Sequence, residues 1–247
     1  MPQPMPQIAE EIALFEGLGP LRTWSVIVTI MGDTLRGAGQ GIGGKELAAR
    51  VGAIGITDQA LRVAVHRLKK DGWIESRRDG RSSVHFLTAS ARRETEAVRP
   101  LIYSVQPPEI GPVSLVVSPP DLAAPLAQSL PPGRSVQLTS RSGLISGAVP
   151  EGAYLTTPLA GTLPDWVCQS IASTAHRAAC KALTQATLEG MERCPDDPEK
   201  RAALRLLILH HWRRLVLRQS PLADALLGED WEGAVTRRTV HAALDSL

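Results

Sequence analysis

The sequence predicts an α+β protein built in three parts, and three features of the chain support this division. Between Thr57 and Thr88, a helical pattern of apolar residues is followed at once by two short runs with the alternation of a β-hairpin. From Gly111 to Thr162, short β-like runs are separated by prolines, and after Pro164 the apolar spacing becomes helical again. The predicted parts are an N-terminal extension (1–20), a helix-and-hairpin domain (21–105), a small α+β middle domain (106–163) and a helical C-terminal domain (164–247).

The best-defined helix is predicted to begin after Thr57, because threonine followed by Asp58 is typical of an N-cap and first turn. Apolar residues recur at helical spacing along one stripe, which is expected to face a core: Ala60, Leu61, Ala64, Val65 and Leu68. The outward-facing set is Gln59, Arg62, Val63, His66, Arg67 and Lys70. Gly72 is expected to close the helix after a basic last turn, where positive charge suits the helix dipole.

A β-hairpin is predicted directly after this helix. Residues 73–77 and 82–88 alternate apolar and polar side chains, and Asp79-Gly80 lies between them, where a type I′ turn needs positive φ. The tip of the hairpin is rich in polar and charged residues: Arg77, Arg78, Asp79, Gly80, Arg81 and Ser82.

Two further helices are predicted upstream, over Thr23–Thr34 and Lys45–Val51, with residues 53–56 as the turn before the helix that follows Thr57. This order is that of a winged helix-turn-helix, in which the second helix of the pair enters the major groove and the hairpin, or wing, lies along phosphates or a minor groove. The residues expected to contact duplex DNA are Thr57, Gln59, Arg62, Val63, His66, Arg67, Lys70, Arg77, Arg78, Arg81 and Ser82, with Gln59, Arg62, Val63 and His66 nearest the base edges.

The charge distribution favours this interpretation over its alternative, a merely solvated helix face. Residues 20–103 carry 14 basic and 8 acidic side chains, whereas residues 104–247 carry 13 and 14. The positive charge is therefore concentrated in the part expected to neutralise phosphates.

Composition sets outer limits on the class of protein. A chain of 247 residues with 43% hydrophobic and 21% charged residues is typical of a globular protein of two or three domains. No apolar run is long enough to span a bilayer, and the N-terminus lacks the basic region of a secretory signal. The three cysteines, Cys168, Cys180 and Cys194, have no paired spacing, which favours reduced thiols and a cytoplasmic location.

Beyond the hairpin, the patterns predict short elements. Residues 88–103 read as a polar helix that leads to the proline-rich break at residues 106–108. The middle part is predicted to contain strands at 113–117, 136–139, 143–149 and 153–157 with a short helix at 122–130. The C-terminal part is predicted to contain one helix or a pair over 165–190, a helix over 199–218 that is apolar on most faces and hence central or interfacial, and a last helix over 236–247.

Two separated runs resemble one known family. The run from Gly55 to Thr88, preceded by Gly32-Asp33 after a helix, resembles the N-terminal domain of the PaaX-type repressors of phenylacetate catabolism, and residues 206–233 are similar to that family's C-terminal signature. The resemblance implies a winged helix, a small ferredoxin-like middle domain and a helical C-terminal domain in a subunit that dimerises on a palindromic operator. It also implies repression relieved by an aromatic acyl-CoA, phenylacetyl-CoA in the founding members. The chain departs from the family pattern at His211, at Gln219-Ser220 and at Glu232.

A cationic strip in the C-terminal part is a candidate effector site. Its members are Arg205, Arg213, Arg214 and Arg218, which could hold the phosphates of a CoA-type effector because arginine pairs with phosphate through two hydrogen bonds. The alternative is ion pairing within or between subunits, with acids such as Asp224, Glu229 or Asp230.

Other patterns with chemical potential favour structural roles. His176 and Cys180 lie one helical turn apart, with Cys168 two turns before His176, but further ligands are absent nearby in sequence, and no metal or cofactor is expected. The glycine-rich run at 37–44 follows a helix and lacks the Lys-Ser/Thr pair of a phosphate-binding loop, so it reads as a flexible loop. Asp33 reads as a structural residue at a helix end.

The sequence therefore predicts a cytoplasmic DNA-binding transcriptional regulator, a homodimeric repressor released from its operator by an aromatic acyl-CoA or a related acidic metabolite. Two other classes remain as alternatives: an architectural DNA-binding protein without a ligand, and an enzyme that uses the middle part to process nucleic acid. The enzyme needs clustered carboxylates, and residues 104–162 contain only Glu109, Asp121 and Glu151.

Overall fold

The fold is mixed α+β, with helices and two small antiparallel sheets, in a computed structural model that describes residues 9–80, 82–121, 126–131, 133–149, 151–152, 154–194 and 196–247. The first elements are α1 (Ala9–Glu16), α2 (Thr23–Thr34), β1 (Gly41–Gly43), α3 (Gly44–Ala53), α4 (Asp58–Lys70), β2 (Ile74–Asp79), β3 (Ser82–Leu87) and α5 (Ala89–Tyr103). They are followed by β4 (Val113–Val117), α6 (Leu126–Ser129), β5 (Ser135–Gln137), β6 (Ser142–Ser146) and β7 (Leu155–Pro158). The remaining elements are α7 (Asp165–Ile171), α8 (Thr174–Glu192), α9 (Pro198–Val216), α10 (Leu222–Leu227) and α11 (Glu232–Ser246).

Most of the predicted elements are confirmed with small shifts at their ends. α2 and β4 have the predicted bounds, and the region 165–190 is a pair of helices that break at Ala172 and Ser173. The predicted middle helix is present as α6, but residues 122–125 of it lie outside the described residues. The predicted strand at 143–149 is shorter and begins one residue earlier, as β6.

Three elements were missed because their sequences carry weak patterns. α1 is eight residues long and α10 is six, too short for a clear helical period. β1 lies in the glycine-rich run that was predicted to be a loop. It pairs antiparallel with β3, and a Cβ at Gly41 would lie 2.5 Å from the Phe86 ring and 2.6 Å from Val84, so only glycine allows this approach.

The first sheet has the order β1-β3-β2, and the second has the order β5-β6-β4-β7, both antiparallel throughout. In the first sheet, β2 and β3 pair in register from Ile74↔Leu87 to Asp79↔Ser82. The prediction that Asp79 belongs to the turn is therefore wrong: Asp79 is the last residue of β2 and pairs with Ser82. Gly80 has φ +57°, so glycine still supplies the positive φ that the turn requires.

Helix α9 is central, as its apolar sequence predicts. Its buried residues lie on most of its faces, and one hydrophobic core joins α2, α3, α4 and α5 to α8, α9 and α11. The N-terminal helices and the C-terminal helices are thus packed on a common core. The middle sheet has smaller clusters, one of which includes residues of α7 and α10. In the described chain, no helix is both long and apolar enough to cross a membrane.

One cluster of buried polar groups joins separate parts of this fold. The side chain of Arg237 is only 4% exposed and donates to Asp224, 3% exposed, at 2.8 Å. Arg237 also donates to the carbonyl oxygens of Leu101 and Ser104 at the end of α5, both at 3.1 Å. Trp231 Nε1 donates to the same Asp224 carboxylate at 3.0 Å, so this cluster ties α10 and α11 to α5.

Asp224→Asn is expected to lower the free energy of unfolding by about 3 kcal/mol, because it leaves the buried Arg237 guanidinium without a counter-charge. Urea denaturation would measure the loss. Asp230→Asn removes the same charge from an exposed position and serves as the control, with an expected change within about 0.5 kcal/mol. Equal effects of the two substitutions would contradict the assigned role of the pair.

Two adjacent histidines of α9 are buried as neutral rings. His210 Nδ1 lies 3.0 Å from the Thr29 hydroxyl of α2, and His211 stacks on Phe15 of α1 with ring centroids 5.6 Å apart. Burial is the main cause that lowers the pKa of His210 to about 3 and that of His211 to about 4, and nearby positive groups add to it. Both rings therefore stay neutral in the fold far below the ordinary pKa of histidine.

Acidification is expected to destabilise the protein through these rings. The unfolded chain takes up protons near pH 6.5, whereas the fold does so only near pH 3 to 4. The stabilisation is complete above pH 6.5 and is lost as the pH falls toward 4, by up to about 1 kcal/mol per pH unit for each ring. Urea denaturation between pH 5 and 7 would measure this slope, and His211→Leu should reduce it. A flat profile in the unsubstituted protein would contradict the buried neutral rings.

Candidate nucleic-acid interface

One stripe of buried side chains packs helix α4 against the main hydrophobic core. Leu61, Ala64 and Leu68 are buried in the core, and the Thr57 hydroxyl caps the helix by accepting from the backbone N–H of Ala60 at 3.2 Å. The predicted cap and apolar stripe are thus confirmed. At the other end, the backbone N–H of Trp73 donates to the carbonyl of Leu68, and Gly72 has φ +71°, which turns the chain directly into β2.

The opposite face of α4 is exposed. The predicted outward set is confirmed as exposed: Gln59, Arg62, Val63, His66, Arg67 and Lys70. The side chain of Val63 is 65% exposed, and Val63 is the only apolar residue among these six. Within the described residues, Gln59, Arg62, His66 and Lys70 make no side-chain hydrogen bond or ion pair, so these groups are free to contact another molecule.

The hairpin places a second basic group next to this helix, because β2 begins four residues after α4 ends. Arg77 and Arg78 are exposed, Ser82 and Thr57 are partly buried, and Arg81 lies outside the described residues. Adjacent strand positions point to opposite faces of the hairpin, so Arg77 and Arg78 point to different sides.

Aromatic rings orient two of the predicted arginines, which the sequence did not reveal. The Arg67 guanidinium lies 5.7 Å from the centre of the Trp24 ring of α2 and 3.5 Å from the Asp71 carboxylate. The Arg77 guanidinium lies 4.8 Å from the centre of the Phe86 ring on β3, the neighbouring strand. Residues 24 and 67 are far apart in the chain, so only the packing of α2 against α4 shows this contact.

A buried polar pair supports the hairpin from behind. The Ser76 hydroxyl lies 2.7 Å from His85 Nδ1 across the β2–β3 pair. Burial, together with the charge of Lys69, lowers the pKa of His85, so the ring remains neutral and adds no charge to the exposed face. The basic character of this region therefore comes from its lysines and arginines.

The predicted cationic strip of α9 is divided among three places. Arg205 forms an ion pair with Asp33 at the end of α2, at 2.6 Å, and Tyr103 donates to the same carboxylate at 3.0 Å. Arg213 lines a cavity next to Tyr103, whereas Arg214 and Arg218 line a separate, smaller cavity with Leu18 and His211. The acids that were predicted to pair with this strip do not pair with Arg205. The partner of Arg205 is Asp33, and Asp224 pairs with Arg237 instead.

The three candidate metal ligands do not form a metal site among the described residues. Cys168 lies on α7, while His176 and Cys180 lie on α8 beyond the break. The His176 ring stacks on Trp231 with centroids 6.4 Å apart, and burial raises the pKa of the Cys180 thiol to about 11. Among the residues that the structure describes, no group of three or more His, Cys, Asp or Glu side chains could hold a metal ion.

Known proteins match this arrangement at both ends of the chain. The family model described as PaaX-like protein matches residues 22–91, and the model described as PaaX-like protein C-terminal domain matches residues 166–247. Together they cover more than half of the sequence, and the chain belongs to the PaaX-like family.

Two individual proteins show the range of similarity. "Transcriptional repressor PaaX" of Escherichia coli (strain K12) is 26% identical over 251 residues, which cover 89% of this chain and 78% of that protein. The solved structure of the uncharacterized protein Rv0674 from Mycobacterium tuberculosis has a TM-score of 0.49 at 16% identity, over 90% of this chain and 93% of the other.

Gly41→Ala is expected to lower the free energy of unfolding by about 1 to 3 kcal/mol, because its Cβ would overlap Phe86 and Val84 behind the hairpin. Gly43→Ala is the matched control, since a Cβ there meets nothing within 4 Å. Thermal or urea denaturation of both variants would test the close approach of β1 to β3. A larger loss for Gly43→Ala than for Gly41→Ala would contradict it.

Proposed function

We propose that this protein is a DNA-binding transcriptional repressor that reads duplex DNA with a winged helix-turn-helix made of α2, α3, α4 and the β2–β3 hairpin. The observation that carries the proposal is the exposed, basic face of α4, directly beside a hairpin with its own arginines. On this face, Gln59, Arg62, His66 and Lys70 have no polar partner among the described residues. Its relative in Escherichia coli bears the name of a transcriptional repressor, which supports the same class of function. The charge distribution adds to this support, because only residues 20–103 carry a net positive charge.

Base reading is assigned to the N-terminal half of α4, which enters the major groove. Gln59 suits adenine and Arg62 suits guanine, because each can form two hydrogen bonds with that base. His66 lies one helical turn beyond Arg62 on the same face. The exposed Val63 side chain suits the methyl group of thymine, a contact that would account for an apolar residue on this face.

Phosphate contacts are assigned to the flanks of this face. Arg67, Lys70, Arg77, Arg78 and Arg81 supply the charge, and Thr57 and Ser82 supply hydroxyl donors. The rings of Trp24 and Phe86 hold Arg67 and Arg77 in place, which reduces the side-chain entropy lost on binding. Arg62 and Arg78 have no such support in the described residues and would adapt to the DNA.

The remaining parts of the chain fit a ligand-controlled repressor in the cytoplasm. The order β5-β6-β4-β7 is the order of a ferredoxin-like sheet, which supports that assignment for residues 106–163, followed by a helical domain over 164–247. A homodimer on a palindromic operator follows from the family resemblance, and the exposed Leu155 on the edge strand β7 is a candidate contact. Release by an aromatic acyl-CoA or a related acidic metabolite is supported by the arginines of α9, of which Arg213, Arg214 and Arg218 have no acidic partner among the described residues.

Arg62→Gln and Arg78→Gln are each expected to weaken binding to duplex DNA and to reduce the slope of log affinity against log salt by about 1. Fluorescence anisotropy with a generic duplex would measure both effects. The salt concentration would be varied between about 50 and 200 mM, a range over which phosphate contacts make the affinity fall steeply. Arg193→Gln is the control, because this exposed arginine directly follows α8 and is paired with Glu189. A slope that stays unchanged in Arg62→Gln and in Arg62→Ala/Arg81→Ala would exclude DNA reading by this face.

Val63→Ala is expected to relax the sequence preference without changing the salt slope, since it removes an apolar contact and no charge. The operator can be obtained by selection from a random duplex library with the full chain. The variant should lose about 1 kcal/mol or more of discrimination at one thymine position and keep its affinity for unrelated duplexes. Unchanged discrimination at every position would remove Val63 from the base-reading set.

A further inference from the structure

A cavity of about 170 Å³ lies between three helices. Its walls come from α2, α5 and α9, together with Trp73, the residue just before β2. Most of the lining is apolar, including Val28, Val98, Ile102 and Leu217. A cavity of about 150 Å³ holds one benzene molecule in another protein, so this space fits a group the size of a single six-membered ring.

Two guanidinium groups in this lining have incomplete sets of partners. Arg99 Nη2 donates to the Gly32 carbonyl at 2.7 Å, but Arg99 Nη1 is buried and has no partner in the described part of the chain. Arg213 makes neither an ion pair nor a hydrogen bond through its side chain to any described residue, and burial lowers its pKa. Both residues are partly buried. Partial removal of a cation from water without a counter-charge is unfavourable, and a bound anion would relieve this cost.

Asp33, near this cavity, is already engaged, and Glu94, which is part of the lining, is exposed to solvent. Asp33 accepts from Arg205 at 2.6 Å and from Tyr103 at 3.0 Å, so its carboxylate is used. Glu94 is exposed, accepts from the Ser90 hydroxyl, and forms no ion pair with Arg99 or Arg213. The cavity therefore combines apolar walls with two cations and no acid of the described chain that neutralises them.

We propose that the cavity lined by Arg99 and Arg213 binds a small organic monocarboxylate, with the carboxylate between the two guanidinium groups and a ring-sized apolar group against Val28, Val98 and Ile102. The site rests on the proposed function, since it would be the effector site of the repressor. Of the two kinds of effector in that proposal, the site fits the acidic metabolite, because a free carboxylate can neutralise Arg99 and Arg213, whereas the carbonyl group of a thioester carries no charge. Trp73 lines the cavity and directly precedes β2, so a bound acid would contact the residue at which the wing begins.

The test is isothermal titration calorimetry and thermal denaturation of the full chain with benzoate and hexanoate as probes. Benzyl alcohol, a neutral ligand of similar size, should bind at least about tenfold more weakly than benzoate, because it cannot pair with a guanidinium. Arg213→Met should weaken benzoate by at least about tenfold and should not lower the melting temperature of the free protein, since it removes an unpaired cation. Arg213→Lys should keep most of the binding, and Val98→Phe, which fills the cavity, should remove it.

Arg93→Met is the control, because Arg93 is exposed on α5, the helix that carries Arg99, and lies outside the cavity lining. It should leave benzoate affinity unchanged. The proposal is overturned if the unsubstituted protein binds neither carboxylate, if benzyl alcohol binds as well as benzoate, or if Arg213→Met has no effect. It is also overturned if phenylacetyl-CoA binds in an Arg213-dependent manner while both free acids fail.

Duplex DNA binding measured on the same samples separates this proposal from the proposed function. DNA binding with a normal salt slope but no carboxylate binding rejects the site and leaves the repressor assignment in place. Carboxylate binding without any DNA binding supports the site and rejects the repressor assignment.

Discussion

The burial of α9 is the constraint on which the rest of the structure depends. This helix is apolar on most of its faces, and its surface can leave water only if other helices surround it. α2, α5, α8 and α11 all contribute to that shell, so the helices at the two ends of the chain share one core. The exposed face of α4 therefore belongs to a helix whose core is shared with the C-terminal helices.

Polar contacts specify how the two ends of the chain fit together, whereas the apolar core only brings them together. Thr29 to His210, Asp33 to Arg205 and Trp212 Nε1 to the carbonyl of Ile102 each join an N-terminal helix to α9. The Arg237–Asp224 pair does the same between α5 and the last two elements. These contacts have fixed geometry, and each would be left unsatisfied if the helices slid past one another.

Arginine has different surroundings in the two halves of the molecule. Near the hairpin, Arg67 and Arg77 are exposed, lie on aromatic rings and pair with the exposed acids Asp71 and Glu75. Around α9, Arg205 and Arg237 are neutralised by single carboxylates, while Arg213 is partly buried without one. The unequal pairing of these residues, and not the number of arginines, is what marks the α2–α5–α9 cavity as a candidate ligand site.

The sequence by itself determined the local elements and the exposed face of α4. A cap at Thr57, a stripe at helical spacing and a glycine between alternating runs are short-range signals, and short-range sterics and hydrogen bonds decide such elements. The α9 helix was also predicted to be central, because its apolar residues face all directions. Tertiary structure alone decided what depends on distant residues: the strand β1 admitted by Gly41, the rings beneath Arg67 and Arg77, and the choice of Asp33 as the partner of Arg205. Pairing between residues 33 and 205 leaves no periodic trace in a sequence, because nothing in the local spacing of either residue depends on the other.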